Sequence, residues 1–369
     1  MINRFLLIFS LLLLIIFSIY ALLTRPILCT DPAGCLWIGP EDPVVLGLSG
    51  ITTGQDRSLS IEIQHSLELF SQNSDTSPTD HPIKFKTYYS SCLPNVPVQS
   101  VIDLASDPQI LAVIGPICAQ DGSDFAQRLA GSQKVTISPI PYRSDSTNGG
   151  ITVYPDLEQL TAQSAMWVQR LGYSRIILTY DTDSQSKAFS KNFCEIFNAI
   201  GTCLDSGSGS NDFQDGEFDA VVQVFLDESN PPSPDSDLLD PLLPKILVSF
   251  SRPLIVQDQI STNYWIGPQA WNENLDFSLA YYAEYNNYPS SLASWLLYEQ
   301  LPKIYNTVRN TAISGWDGSW VIPISNFKQQ LESDFASDDI FCLAGKINCS
   351  KIQFVLYQVS GNEYKLINP

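Results

Sequence analysis

Short apolar runs alternate with amphipathic helical stripes along most of the chain, and that alternation restricts it to α/β architectures. Val44-Val45-Leu46-Gly47-Leu48 is an apolar run closed by Ser49-Gly50, which predicts a strand stopped by a turn. Helical spacing follows over 57–71, then the alternating strand Ile83-Lys84-Phe85-Lys86-Thr87-Tyr88. Pro97 is placed to open a helix, with Val98, Val101, Ile102 and Ala105 on one face. Strands are predicted over 111–115 and 135–137, with a helix over 123–130 between them. Runs this apolar belong to parallel sheets buried on both faces, because each βαβ crossover lays a helix over the sheet.

A second series begins after Gly149-Gly150. Leu157, Leu160, Val168 and Leu171 predict a helix face with Ser164 as its polar member, closed by Gly172. Strands are predicted over 176–180, 220–226, 246–250 and 264–266. Phe189, Phe193, Ile196, Phe197 and Ile200 form a helical stripe stopped by Gly201. The alternating residues 206–210 and the Pro-rich residues 227–236 read as loops, and two helices follow over 276–287 and 291–312, with Pro302 inside the second. At 369 residues the chain has length for two domains.

The N-terminus points outside the cytoplasm. Phe5 to Leu23 is a run of 19 uncharged residues flanked by Arg4 and Arg25. At 1.5 Å per residue it spans about 28 Å, close to the bilayer's hydrocarbon thickness. The run is longer than a signal-peptide core and lacks a small-x-small cleavage site, so the reading is an uncleaved anchor, with a cleaved signal as the alternative. Residues 25–43 carry Pro26, Pro32, Pro40 and Pro43 and read as a stem. The eight cysteines fall into neighbouring pairs, Cys29/Cys35, Cys92/Cys118, Cys194/Cys203 and Cys342/Cys349. An even number in an exported chain reads as disulfides, and this pairing is one of about 105. A metal site is the rival reading, but no C-x-x-C spacing occurs.

Charge and motif content exclude several functions. With 39 acids against 20 bases the net charge is −19, which opposes nucleic-acid binding and basic-patch attachment to anionic lipid. Two histidines, His65 and His81, are too few for most His-based metal or acid–base sites. No G-x-S-x-G, P-loop, G-x-G-x-x-G or H-E-x-x-H pattern is present, so no catalytic residue, metal or cofactor is assigned. Asp181 and Asp183 follow a predicted strand, a position that lines clefts in open sheets, but one carboxylate pair reads first as a solvated loop. Asp338-Asp339 reads as a solvated pair. Tyr281, Tyr282, Tyr285 and Tyr288 read as helix packing ahead of a stacking platform.

These residues together resemble the type I periplasmic-binding-protein family, specifically the leucine/isoleucine/valine-type substrate-binding components of ABC importers. Residues 44–50 look like the family's opening strand and first ligand loop. Asp107-Pro108 and Ala112-Val113-Ile114-Gly115-Pro116 with Cys118 look like its second ligand strand, and Ile137-Ser138-Pro139 like its third. Tyr154-Pro155-Asp156 falls at the family's first crossing between lobes. Phe277, Tyr285 and Tyr288-Pro289 resemble its F…Y…Y-x-x-P stretch, and Cys92–Cys118 resembles a family disulfide. The resemblance implies two Rossmann-like lobes with parallel central sheets, joined by a three-crossing hinge that closes on a ligand. Its lobes would be 44–150 with 272–339, and 151–271 with 340–369, after an anchor at 1–24 and the stem at 25–43.

Carried over by position, the implied ligand residues are Ser49, Gly50, Gln55, Ala119, Gln120, Pro141 and Tyr142 in the first lobe, with Gln185, Phe225 and Ser251 in the second. Several depart from the family pattern. Ala119 stands where a serine commonly binds a carboxylate, Pro141 lacks an N–H, Gln55 replaces an aromatic and Gln185 a tyrosine. An acidic partner for an ammonium is missing near residues 249–251. A zwitterion removed from water needs both ends paired, so these residues suit an uncharged polar ligand, such as an amide, ahead of a free amino acid, or no ligand at all. The expected function is a membrane-tethered extracytoplasmic solute-binding protein serving an ABC permease. The alternatives are a sensor or interaction module acting through a membrane receptor, and an envelope enzyme.

Overall fold

Backbone pairing sorts the strands into two large sheets and one small one. The computed structural model describes residues 13–15, 28–54, 56–73, 81–91, 99–117, 125, 128–129, 131–139, 150–153, 157–181, 184–207, 217–226, 243–250, 262–268, 275–336, 354–360 and 363–367. The first part of the chain forms β1 (Cys35–Ile38), β2 (Val44–Thr53), α1 (Arg57–Asn73), β3 (Ile83–Ser91), α2 (Gln99–Ser106), β4 (Ile110–Ile114), β5 (Val135–Ser138) and β6 (Gly150–Thr152). Then come α3 (Leu157–Arg170), β7 (Arg175–Tyr180), α4 (Ser184–Phe197), β8 (Thr202–Gly207), β9 (Ala220–Phe225), β10 (Lys245–Ser249) and β11 (Thr262–Pro268). The last part forms α5 (Leu275–Tyr285), α6 (Leu292–Thr311), β12 (Ile313–Ser314), β13 (Trp320–Pro323), α7 (Ile324–Ala336), β14 (Phe354–Ser360) and β15 (Glu363–Ile367).

The first sheet runs β3-β2-β4-β5-β6, all parallel. The second runs β15-β14-β11-β10-β9-β7-β8, with β7 to β11 parallel and β14 and β15 antiparallel. Counted from β8, its five parallel strands lie in the order second, first, third, fourth, fifth, and the first sheet repeats that order from β3. The chain passes between the sheets three times: from β6 to α3, from β11 to α5, and from α7 to β14. The connections at 154–156, 269–274 and 337–353 lie outside the described residues.

Sheet and helix fit explains two differences from the sequence reading. In α2 the buried face is Ser100, Val101 and Leu104, while Ile102 is 42% exposed. Gly47 on β2 sets that rotation: a Cβ there would lie 2.5 Å from Leu104 Cδ2, so the missing side chain is the slot that Leu104 fills. Val98 and Pro97 lie outside the described residues. In α4 the rings of Phe189, Phe193 and Phe197 stack in succession and are fully buried, whereas Ile196 and Ile200 face solvent. An i, i+4, i+8 row of three rings covers the sheet without them.

The stem and the Ser/Gly stretch also fold differently from expectation. Cys35–Ile38, inside the 25–43 stem, is a strand paired antiparallel with β13, and β12 completes a three-stranded sheet. Leu36 and Ile38 are buried in the main core. Ser206 and Gly207 extend β8 alongside β7, and Ser206 donates to Leu178 O at 3.3 Å. Cys194–Cys203 and Cys29–Cys35 are disulfide-bonded, fixing α4 to β8 and the start of the chain to β1. Cys92, Cys118, Cys342 and Cys349 lie outside the described residues. So does the apolar run of residues 5–23 apart from 13–15, and among the described residues no helix is long and apolar enough to cross a membrane.

One carboxylate locks the returning helices to the first sheet. Glu62, on α1, accepts from the backbone N–H groups of Ser290 and Ser291 at 2.9 and 2.6 Å. It also accepts from the hydroxyls of Ser290 and Ser294 at 2.8 and 2.7 Å. Ser291 is itself the N-cap of α6, so Glu62 places a negative charge at the positive end of a 20-residue helix. Beside it His65 stacks on Tyr285 at 3.8 Å, and its Nδ1 lies 2.9 Å from the Tyr281 hydroxyl. Phe277 and Tyr281 are buried with Leu69 and Tyr285 packs against them, so these two tyrosines are inter-helix packing, whereas Tyr282 and Tyr288 are exposed and stack on each other at 4.6 Å. Glu62→Ala is expected to cost about 2 kcal/mol, from lost capping and charged hydrogen bonds. Glu62→Gln should recover part of it, as read by urea denaturation.

Candidate functional site

In an open parallel sheet with this strand order, the crossovers on either side of the first strand leave toward opposite faces. A crevice therefore opens at the carboxyl ends of the strands where the direction reverses. It falls between β2 and β4 in the first sheet and between β7 and β9 in the second.

In the first sheet this point is built by residues 49–54 and 115–117. Ser49 is 2% exposed, and its hydroxyl lies 3.3 Å from that of Ser100 at the start of α2. Gly50 is buried, and a Cβ on it would meet Thr87 at 2.6 Å and Tyr89 at 2.9 Å. Ile51 N donates to Ser60 Oγ at 2.8 Å, which fastens the strand exit to the first turn of α1. Gly115 adopts φ +142°, in the region that favours glycine, and a Cβ there would press on Ser49 and Phe125 at 3.0 and 3.1 Å. Thr52 and Thr53 are exposed at the rim. The sequence reading passed over both; their signal was a polar stretch directly after an apolar strand.

In the second sheet Gln185 sits half-buried on the first turn of α4, and Phe225 half-buried at the end of β9. Ser186 Oγ accepts from Leu226 N at 2.9 Å, which holds that turn against the end of β9. Tyr180 ends β7 beside them and Asp181 follows it, with Asp181 N donating to Val224 O at 3.4 Å. Burial, together with the carboxylate of Asp205, pushes the Tyr180 hydroxyl pKa up, so it stays a neutral donor. Behind these ends, Trp265 stacks on Tyr357 at 4.6 Å and donates from Nε1 to Ser249 Oγ at 3.0 Å. Gly267 leaves room for that indole, since a Cβ there would lie 2.2 Å from its ring.

The sequence-derived set thus divides. The structure puts Ser49 and Gly50 at the first switch point, and Gln185 and Phe225 at the second. Gln55, Ala119, Gln120, Pro141, Tyr142 and Ser251 lie outside the described residues, as do Asp183, Asp338 and Asp339. Among the described residues no group of three or more His, Cys, Asp or Glu side chains is placed to hold a metal ion. The two histidines serve the scaffold: His81 is buried, with its ring nitrogens 2.6 Å from Asp42 O and 2.9 Å from Gly318 O.

A groove of about 600 Å³ lies at the opposite, amino end of the first sheet, among Leu36, Trp37, Pro43, Lys84, Lys86 and Gln109. At its edge Asp107 accepts from Lys86 Nζ at 2.5 Å, Tyr88 Oη at 2.8 Å and Gln109 N at 2.9 Å. Burial pushes the Asp107 carboxyl up, but these donors outweigh it and pull the pKa down to about 2. A depressed carboxyl supplies stability that is present above the unfolded value of about 4 and is lost as the pH falls toward 2. Asp107→Asn should therefore lower the Tm at pH 7 and flatten the fall in Tm between pH 4 and pH 2. Equal slopes in both proteins would place the acid sensitivity elsewhere.

No protein-family model matches the sequence, and no curated protein matches it either. Solved structures do match. An extracellular ligand-binding receptor from Rhodopseudomonas palustris HaA2 superposes with a TM-score of 0.65 at 12% identity, over 89% of this chain and 100% of its own. A solute-binding protein of an ABC transporter from R. palustris, in complex with benzoate, gives 0.64 at 13% over 88% and 95%. The branched-chain amino acid transporter substrate-binding protein of Streptococcus pneumoniae, in complex with isoleucine, gives 0.58 at 12% over 89% and 100%. Of the expected architecture, the α/β type I fold of the periplasmic solute-binding proteins is found; the expected N-terminal transmembrane helix lies outside the described residues apart from 13–15.

Proposed function

We propose that the chain is an extracytoplasmic solute-binding protein that captures a small polar molecule between two lobes and delivers it to an ABC permease. The observation that carries this is the repeated strand order, which gives each sheet one crevice at its carboxyl edge. The lobes are 44–150 with 272–339, and 151–271 with 340–369, and they close about the three crossings as a hinge. Gly50, Gln55, Ala119, Gln120, Pro141 and Tyr142 bind from one side, and Gln185, Phe225 and Ser251 from the other. Residues 1–24 anchor the body in the membrane by the uncharged run Phe5 to Leu23.

The chemistry of these positions favours an uncharged ligand. Gln55, Gln120, Tyr142 and Gln185 donate and accept hydrogen bonds without carrying charge. Ala119 and Pro141 offer no donor to a carboxylate. Ser49, whose hydroxyl lies against Ser100, positions the loop instead of reaching the ligand. The burial of Ser49 also favours a second reading, a membrane-tethered sensor or interaction module that no longer takes amino acids.

A thermal-shift screen of amino acids, their amides, short peptides, sugars and benzoate separates the two. A ligand at 100 times its Kd adds about 2.7 kcal/mol, a rise of several degrees for a protein this size. Amides or sugars are expected to give that rise, and Gln185→Ala to remove most of it, each protein being compared with its own unliganded Tm. A flat response across the whole set supports the second reading, and stoichiometric co-purification of a receptor after detergent extraction would establish it.

A further inference from the structure

Exposed apolar side chains gather on one face of the small three-stranded sheet. Trp37, Val321 and Ile313 are register partners across β1, β13 and β12, so their side chains form one row on the same face. Trp37 is 56% exposed and Ile313 46%, while Val321 between them is fully buried. Trp316, in the turn joining β12 to β13, is 64% exposed. The next row, Ile38 and Trp320, points the other way into the main core. Exposed tryptophans grouped with an exposed isoleucine mark a contact surface, because an indole left in water forfeits a large burial gain.

The start of the chain indicates what lies against it. The Cys29–Cys35 disulfide fastens the incoming chain to the first residue of β1, and Leu28 beside it is 79% exposed. Only residues 24–28 separate Cys29 from Leu23, the last residue of the apolar run. Five residues reach at most about 18 Å when fully extended. Trp37 lies two residues beyond Cys35, about 7 Å along the strand.

We propose that the outer face of this sheet, with Trp37 and Ile313, and the adjoining turn with Trp316, rest on the lipid surface where the N-terminal run enters it. The inference depends on the anchor reading given above: a span ending at Leu23 keeps Cys29 within about 18 Å of the hydrocarbon edge, a reach that lets the sheet meet the headgroups. Tryptophan suits that level, where its ring meets acyl chains and its N–H meets water. The charges nearby are of both signs, with Asp42, Lys84 and Lys86 lining the groove beside Trp37, and Asp317 next to Trp316 in the turn. The contact is therefore apolar and insensitive to salt, unlike a basic patch on anionic lipid.

The test uses the full chain reconstituted in phosphatidylcholine vesicles whose acyl chains are brominated close to the headgroup. Residues 1–27 contain no tryptophan, so quenching of tryptophan emission reports the body alone. Flotation after an alkaline wash reports the apolar run separately. The expected result is a chain that floats and whose emission is quenched relative to unbrominated vesicles, in low and high salt alike. The W37F/W316F double variant should float equally and lose most of the quenching. I313N, which keeps every tryptophan, should float and be quenched less. A floating chain that is not quenched, or is quenched equally in all three proteins, overturns the surface contact and leaves the anchor standing. A chain that does not float overturns the anchor and the contact with it.

Discussion

A parallel sheet has to be covered on both faces, because its crossovers return over it and its strands carry apolar residues on either side. The only places where such a sheet opens to solvent are its edges and strand ends. Here the rule acts twice, with the same strand order each time. The fully buried strands β4 and β5 in one sheet, and the nearly fully buried β9 and β10 in the other, leave polar groups to collect at the carboxyl ends. The packing details serve that cover: Gly47 admits Leu104, and the Phe189, Phe193 and Phe197 rings line the underside of α4. The positions of the two switch points follow from the strand order, whatever side chains line them.

Interleaving gives the fold its long-range character. The helices α5 and α6 come after the five parallel strands of the second sheet yet pack on α1, which covers the first. Glu62 is the main polar tie in that return, and His65 with Tyr281 and Tyr285 forms the aromatic part. Burial, with the carboxylates of Glu62 and Glu68 close by, pushes the Tyr281 hydroxyl pKa well up, and Tyr285 is raised to about 12 by burial and Glu68. Both therefore stay neutral at any physiological pH. The C-terminal hairpin is held to the second sheet by a comparable device, with Trp167 Nε1 donating to Phe354 O at 2.7 Å and Phe354 N to Gln163 Oε1 at 2.7 Å.

Strands buried on both faces were readable from sequence because they need nothing but local apolar runs. The core strands of both sheets and the main helices appear where periodicity predicts them, within two or three residues at most ends. Contacts made at long range were not. Cys35–Ile38 looked like stem because four residues between glycines carry little signal, and their partner β13 lies nearly 300 residues later. Ile102 and Ile196 looked buried because a stripe of apolar residues does not say which edge of it meets the sheet. Of the candidate site, the strand ends were readable, since a polar turn follows each apolar run. That Ser49 turns its hydroxyl toward Ser100 depends on the rotation of α2 and could not be read from the neighbouring residues.

The ligand crevice is the claim on which the functional account stands, and occupancy tests it most directly. A crystal structure of the protein purified from its own source, without denaturation or ligand exchange, would show what lies there. The account predicts density for a small uncharged polar molecule held between Gly50, Gln120 and Tyr142 on one side and Gln185 with Phe225 on the other. Finding both strand-end crevices filled by the protein's own side chains, with no space between the lobes, would contradict it.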